Sequence, residues 1–508
     1  MIDRLAYEVD FVASRSMPKL ILQTQSLAFE KFLKQEGLAY SLPSSLSRAY
    51  ANGARIFLLN QRLDESYLRF EDPCFFITQH NHLGELLSIE STRIDDTMMF
   101  SMPRNDMFSA RSFYIDFPVY SLKAPTHGSH SSLSHSSIAG SGIHVTRVRN
   151  HWIASLPWNL TEWKHEMTYR PYYSHSSEKH FYEIGPRVDW AAFRRTLKEI
   201  LLLVCTKLKC SLYARQHFAK GKKIFSVRID ADGFSQKSTD ACLEIANQKG
   251  LTFDWFIDVG SWSGNYSQLK KLSDHGQSIG LHDFYHMTYR KYRNNLWNMQ
   301  KGSNLLTKAC GRAPTGIVSP FGYYFNSYQQ AIKDLKFSFS SEFGYDTDNL
   351  PSHPHNNVQY PLQIPVHPGS IGTLQKAGFT DSEIIEHLYE TALRQCSLDG
   401  FVVLYDHPIG RLEHYSQAYS SMIEDLVNKG LNLATMTEIS TFWNSASHMH
   451  PFKADEEGSY QDKFILPDPH KHAQQMASFS IYRQVNDSFC LFILRSHLNS
   501  VRSYFRSK

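Results

Sequence analysis

"KIFSVRIDADG", residues 223–233, is an apolar run that ends in two aspartates one alanine apart and then a glycine. Asp, Asp and Gly are ordinary turn residues after a strand, so Asp230 and Asp232 alone say little. Their meaning depends on the rest of the chain. From 222 to about 445, short apolar stretches (TFDWFID, QSIGLH, TGIVSP, FSFSSEF, LQIPVH, FVVLYDH, LNLATM) alternate with amphipathic segments near 238–249, 266–275, 323–335, 381–396 and 417–429. Sustained alternation of this kind predicts parallel strands joined by helical crossovers. Seven or eight such units predict an α/β fold, a closed or nearly closed (β/α) barrel of about seven strands, with an open doubly wound sheet as the alternative.

The chain has 508 residues, room for about three domains. Residues 1–150 form an N-terminal α/β or α+β domain that ends in the Ser/His/Gly-rich linker APTHGSHSSLSHSSIAGSG, whose His127, His130 and His135 have no carboxylate fixed beside them. Residues 151–220 are a bridging helical region with a helix from about Trp190 to Lys209. The barrel takes 221–445, and 446–508 is a small β-rich segment with a hairpin turn at Asn486 and Asp487.

The net charge of +4, without a Lys/Arg block, excludes a nucleic-acid-binding stripe. Cys74, Cys205, Cys210, Cys242, Cys310, Cys396 and Cys490 are scattered and odd in number, which fits a reducing compartment and supplies no thiolate zinc site. The opening MIDRLAYEVDFVASRS lacks a signal peptide's apolar centre, and no run approaches the roughly 20 apolar residues of a membrane span. The expected location is the cytoplasm.

In a parallel α/β fold, chemistry gathers beyond the C-terminal ends of the strands. Asp230 and Asp232 follow the first strand, Asp258 and Gly260 the second, and His282 and His286 the third. Arg312 and Pro314 lie just before the fourth. Glu342, Asp346 and Asp348 follow the fifth, His367 the sixth, and Asp406 with His407 the seventh. Two histidines four apart can present both rings to one ion, and Asp232 completes a two-histidine, one-carboxylate set that leaves positions open for substrate.

On these motifs, residues 222 to about 440 resemble the polysaccharide deacetylases, carbohydrate esterase family 4. RIDADG is similar to the family's aspartate-pair motif in a spaced form, HDFYH to its histidine pair, RAPTG to its arginine–proline–glycine motif and VVLYDH to its last motif. The resemblance implies one divalent metal ion, usually zinc, held by Asp232, His282 and His286. It further implies Asp230 as general base, Arg312 orienting that base, and His407 as the cationic general acid for the departing amine. Asp230 rather than Asp232 takes the base role because it directly follows Ile229, as at the family's strand end. Asp283, in place of a small hydroxyl residue, adds charge near the metal and is expected to orient His286. The carboxylate tuning the acid histidine is assigned to Asp346, with Asp406 as the alternative, and a backbone N–H near Thr315 is expected to face the oxyanion. His367 is either a substrate contact or a structural residue.

The implied activity is metal-dependent hydrolysis of an N-acyl group, N-acetyl in the first instance, from an amino sugar or glycan precursor. The alternatives are a deacylase of a non-sugar amide and a barrel that binds glycan without hydrolysing it. The aromatic segments TYRPYY and FGYYFNSY can stack on sugar rings or pack between domains.

Overall fold

The computed structural model describes residues 19–22, 27–38, 40–42, 45–59, 63, 65–87, 91–94, 98–102, 111–115, 119–122, 129–131, 143–158, 166–174, 179–210, 212–215, 223–445 and 449–451. His127, His135, Cys490 and the hairpin expected around Asn486 lie outside these residues.

Eight short strands form one curled parallel sheet: β1 (Lys223–Ala231), β2 (Asp254–Ile257), β3 (Ser278–Leu281), β4 (Gly316–Ile317), β5 (Phe339–Ser340), β6 (Leu362–Gln363), β7 (Phe401–Asp406) and β8 (Leu431–Leu433). The order is β6-β5-β4-β3-β2-β1-β7, and β8 pairs with the start of β1. Beyond β6, His367 N–H donates to Val403 O at 2.8 Å, which ties one edge of the sheet to β7 at the other. The sheet is therefore an irregular, nearly closed barrel.

Helices α1 (Gln236–Lys249), α2 (Tyr266–Asp274), α3 (Tyr292–Cys310), α4 (Asn326–Asp334), α5 (Ile371–Lys376), α6 (Asp381–Asp399), α7 (Ser416–Asn428) and α8 (Met436–Ser445) connect or follow the strands. Strand alternation separates two cores. Val227, Ile229, Trp255, Ile257, Val402 and Leu404 point outward and pack under the helices. Phe256, Val318, Phe339, Phe343, Val403 and Tyr405 point inward and fill the barrel. The interior is narrow enough that glycine is needed where rings cross it. A Cβ on Gly280 would meet the Phe256 ring at 2.4 Å, and one on Gly316 the Phe339 ring at 2.1 Å.

α3 is a helix that hydrophobic periodicity does not announce. Its buried face carries Asn295, Asn298, Met299, Gly302 and Leu306, so two of its inward residues are polar. Those two asparagines serve the loop below, as described with the site.

The N-terminal sheet runs in the order Tyr40–Ser41, Lys19–Leu22, Ala54–Leu58, Phe75–Gln79, His151–Leu156, Ile143–Val148, Ser129–Ser131. Its first five strands are parallel and the last two antiparallel, making this unit α/β. Two expectations change here. His151–Leu156 is a strand of this sheet, and the helix Trp190–Leu208 shares its core, so packing carries this unit past residue 150. Ser129–Ser131, inside the expected linker, pairs as an edge strand.

The two units meet through polar pairs: Lys31 Nζ to Asp346 Oδ2 at 2.7 Å, and Arg394 to Asp189 Oδ2 at 2.8 Å. TYRPYY lies in the hairpin of Met167–Tyr173 with His180–Pro186, and its Tyr172 is buried in the barrel's outer core. Met449–Pro451 pairs antiparallel with Tyr213–Arg215. Among the described residues, no helix is long and apolar enough to cross a membrane.

Candidate active site

Arg228, Asp230 and Asp232 are spaced by two along and just beyond β1, so all three face the barrel interior while Ile229 and Ala231 face the helices. The spaced DADG motif thus puts both carboxylates on one side, at successive levels toward the strand's C-terminal end. β3 delivers His282 at the same end, since Leu281 pairs with Ile257 and His282 N–H donates to Ile257 O at 2.8 Å.

Three side chains converge on Asp232. Its Oδ1 lies 3.2 Å from His282 Nε2 and 3.3 Å from His286 Nε2, and its Oδ2 lies 3.2 Å from His407 Nε2. The two Nε2 atoms of His282 and His286 are 3.0 Å apart. His282 Nδ1 donates to Val318 O at 2.8 Å, so in the neutral ring it is Nε2, on the side of Asp232 and His286, that carries the lone pair. One ligand atom each from Asp232, His282 and His286 falls within 4.8 Å of the others, so the set fits a single divalent cation. Burial opposes ionisation of Asp232, yet hydrogen bonds from the three histidines hold its carboxyl well below the usual range. Burial likewise opposes charge on His282, but Asp232 raises it to about 9, while burial lowers His286.

Asp230 sits beside this set under separate control. Arg228 Nε and an Arg228 terminal nitrogen each donate to one Asp230 oxygen, both at 2.7 Å. The other terminal nitrogen donates to Ser341 O at 2.8 Å and Ser341 Oγ at 3.0 Å. The guanidinium carbon lies 5.7–5.8 Å from the ring centroids of Phe256, Phe343 and Tyr405. Burial works to raise the Asp230 carboxyl, and the Arg228 charge more than offsets it, keeping the group ionised.

The expected arginine is elsewhere. Arg312 is exposed, donates to Gln277 O at 3.0 Å, and lies before β4 at the N-terminal end of the barrel. Thr315, expected near the oxyanion, shares that end and bonds Thr437 Oγ1 at 3.0 Å. Arg312 precedes its strand and so cannot reach Asp230, which lies at the C-terminal end of β1. The proline–glycine turn that does lie beyond β4 is Ser319–Gly322, and it follows Val318, not an arginine.

Two further expectations are corrected. Asp346 accepts from Lys31 and from Asn349 Nδ2, each at 2.7 Å, so it braces the N-terminal unit and does not tune His407. His407 Nδ1 instead accepts from Arg411, and its Nε2–H faces Asp232. Asp406 points outward, accepting from Ile371 N–H and His407 N–H at 2.7 and 2.8 Å, with the Arg411 guanidinium 3.9 Å away. Asp283, in left-handed backbone at φ 63°, accepts from Tyr328 OH at 3.1 Å rather than orienting His286. His367 pairs with buried Asp348 at 3.1 Å, a structural role. Two other buried acids, Asp258 and Glu342, flank His282. Burial raises each to about 7.

The loop carrying His286 is held from α3. Asn298 accepts from Tyr285 N–H at 2.8 Å and donates to Tyr285 O at 3.0 Å and Met287 O at 3.1 Å. Asn295 does the same for Tyr289, at 2.7 Å in both directions. The sequence reading missed Arg228, Arg411 and these asparagines. Period-two alternation would have flagged Arg228, because it shares a strand face with Asp230.

Residues 220–340 match the family model for polysaccharide deacetylase, and the chain carries a polysaccharide deacetylase domain. No curated protein matches it. Among solved structures it is similar to a CE4 family pseudoenzyme from Bacillus anthracis, at 14% identity and TM-score 0.33, covering 43% of this chain and 66% of that one. It is also similar to a peptidoglycan deacetylase from Bacillus subtilis (13%, TM-score 0.32, 44% and 91%) and to an allantoinase (13%, TM-score 0.40, 46% and 94%).

Proposed function

We propose that the barrel, residues 221–445, hydrolyses an N-acyl group, N-acetyl first of all, from an amino sugar unit of a glycan or glycan precursor. The observation that carries this reading is the meeting of His282, His286 and His407 on Asp232, with a second carboxylate, Asp230, locked beside them by Arg228.

Asp232, His282 and His286 would hold one divalent cation, zinc in this proposal, which when bound polarises the amide carbonyl and acidifies water. Asp230, kept ionised by Arg228, takes a proton from the attacking water. His407 presents Nε2–H on the other side of Asp232, where the departing nitrogen needs a proton. For His407 to act as a cationic acid, Arg411 must release Nδ1. The amide C–N bond breaks, a C–O bond to the water oxygen forms, and acetate and a free amine leave.

Exposed aromatic rings favour a sugar over other amides. Phe321, 45% exposed, lies edge-on to His286 at 4.7 Å, and Phe325, 42% exposed, stacks on Tyr323. Such rings offer flat apolar faces to the C–H side of pyranose units. Six free cysteines among the described residues support a reducing compartment.

The test is acetate release from N-acetylglucosamine oligomers by zinc-loaded wild type and by Asp230→Asn. Release by wild type, reduced at least roughly 100-fold in the variant, is expected. Saturable oligomer binding with no acetate released would replace the reading with a glycan-binding barrel.

A further inference from the structure

The helix Trp190–Leu208 ends on Lys209 in left-handed backbone, at φ 51° and ψ 46°. There the chain folds back: Lys209 N–H donates to Thr206 O at 3.4 Å and Cys210 N–H to Cys205 O at 3.0 Å. This pair of bonds is a Schellman closure, in which the side chains of the two residues joined by the wider bond, here Cys205 and Cys210, pack against each other. Apolar residues ordinarily make that contact. Here both are cysteines, partly exposed and neither in a disulfide. The Cys210 thiol donates to the Cys205 sulfur, and this bond, helped by Leu212 N–H, holds the Cys205 thiol below its usual range in spite of burial. The same bond, with burial, raises Cys210. Burial raises Cys74, Cys242, Cys310 and Cys396, so Cys205 is the described cysteine whose thiolate is favoured.

We propose that Cys205 and Cys210 form a modification site for a peroxide: Cys205 is oxidised first, and Cys210 then closes a reversible disulfide with it across the end of the helix. The Cys205 thiolate, the nucleophilic form, attacks one peroxide oxygen; the O–O bond breaks and hydroxide leaves, giving a sulfenic acid. The Cys210 thiolate attacks that sulfur, the S–O bond breaks and a second hydroxide leaves. Each hydroxide takes up a proton that a thiol has released, so two thiols and one hydrogen peroxide become a disulfide and two waters. The Schellman turn already holds the two backbones at close approach, as a disulfide requires. Leu212 leads into Tyr213–Arg215, which pairs with Met449–Pro451 beyond the barrel's last helix, so the disulfide pins the end of the N-terminal unit's helix to the strand that carries the chain onward. In a reducing compartment it forms under oxidant and is cleared by thiols. None of this depends on a metal in the barrel.

The test treats reduced full-length wild type, Cys205→Ser and Cys210→Ser with hydrogen peroxide, with dimedone present in a parallel set, and reads the products by non-reducing peptide mapping, which separates Cys490 and the other thiols from the pair. Wild type should form the Cys205–Cys210 disulfide and lose it again with dithiothreitol. Cys210→Ser should stop at the sulfenic acid and carry dimedone on Cys205. Cys205→Ser should form no such bond and oxidise at Cys210 at least roughly tenfold more slowly than wild type does at Cys205. Should either serine variant fail to fold, the wild-type map decides alone, since it needs no substitution. Wild type that keeps both thiols, or that carries Cys205 to a sulfinic acid without closing the disulfide, overturns the inference. A disulfide joining either cysteine to another partner does the same.

Discussion

Asn298 grips the backbone of Tyr285 from both sides, accepting its N–H at 2.8 Å and donating to its carbonyl at 3.0 Å. One residue further along, His286 comes to Asp232, so a helix side chain with no contact to the site fixes where a ligand stands. Asn298→Ala removes both bonds and leaves buried peptide groups unpaired. Metal affinity should fall by roughly 10- to 100-fold, as for other groups that support ligands. Isothermal titration with zinc measures it, and an unchanged affinity would show that the loop holds itself.

Arg312 carries the family-like RAPTG motif, but it is exposed and bonds only Gln277 O among the contacts that could position it. Arg312→Ala should change stability by no more than about 0.5 kcal/mol and leave zinc content and turnover intact. Thermal unfolding together with metal analysis distinguishes this from a role at the site.

His407 touches Asp232 but is not needed to complete the three-ligand set. His407→Ala should therefore keep one metal per chain while lowering kcat by roughly 10²- to 10⁴-fold, the range for loss of a proton donor. Loss of metal in this variant would make His407 a ligand.

Asp254 lies at the start of β2, accepts from Ser226 Oγ at 3.0 Å and from Met436 N–H at 2.8 Å, and is raised by burial to about 7. An unfolded aspartate titrates near ~3.9. Between these values the native state holds a proton that the unfolded chain has lost, so this group's contribution is complete below about pH 4 and is lost as pH rises to about 7. Asp254→Asn should flatten the part of the unfolding free energy that declines over that window. Denaturant titrations at several pH values would show it.

The barrel was legible because its strands are apolar runs and several of its crossover helices have clear stripes. Asp230, Asp232, His282, His286 and His407 were legible because strand ends converge in such a fold. Position in three dimensions was harder to read. RAPTG sits before its strand, as the sequence itself indicates, and the likeness of its residues to the family motif assigned Arg312 a role that this position at the N-terminal end of the barrel does not allow. Asp346 follows β5 but leans toward Lys31, a contact more than 300 residues distant in sequence that no local pattern encodes. α3 escaped notice because its inward face spends Asn295 and Asn298 on backbone groups of a neighbouring loop.

The central claim is that Asp232, His282 and His286 hold one cation, and elemental analysis of untagged wild type, His282→Ala and His286→Ala after incubation with zinc and gel filtration tests it most directly. One zinc per wild-type chain and almost none in either variant is the predicted result. Zinc-free wild type, or zinc retained equally by all three proteins, would contradict it.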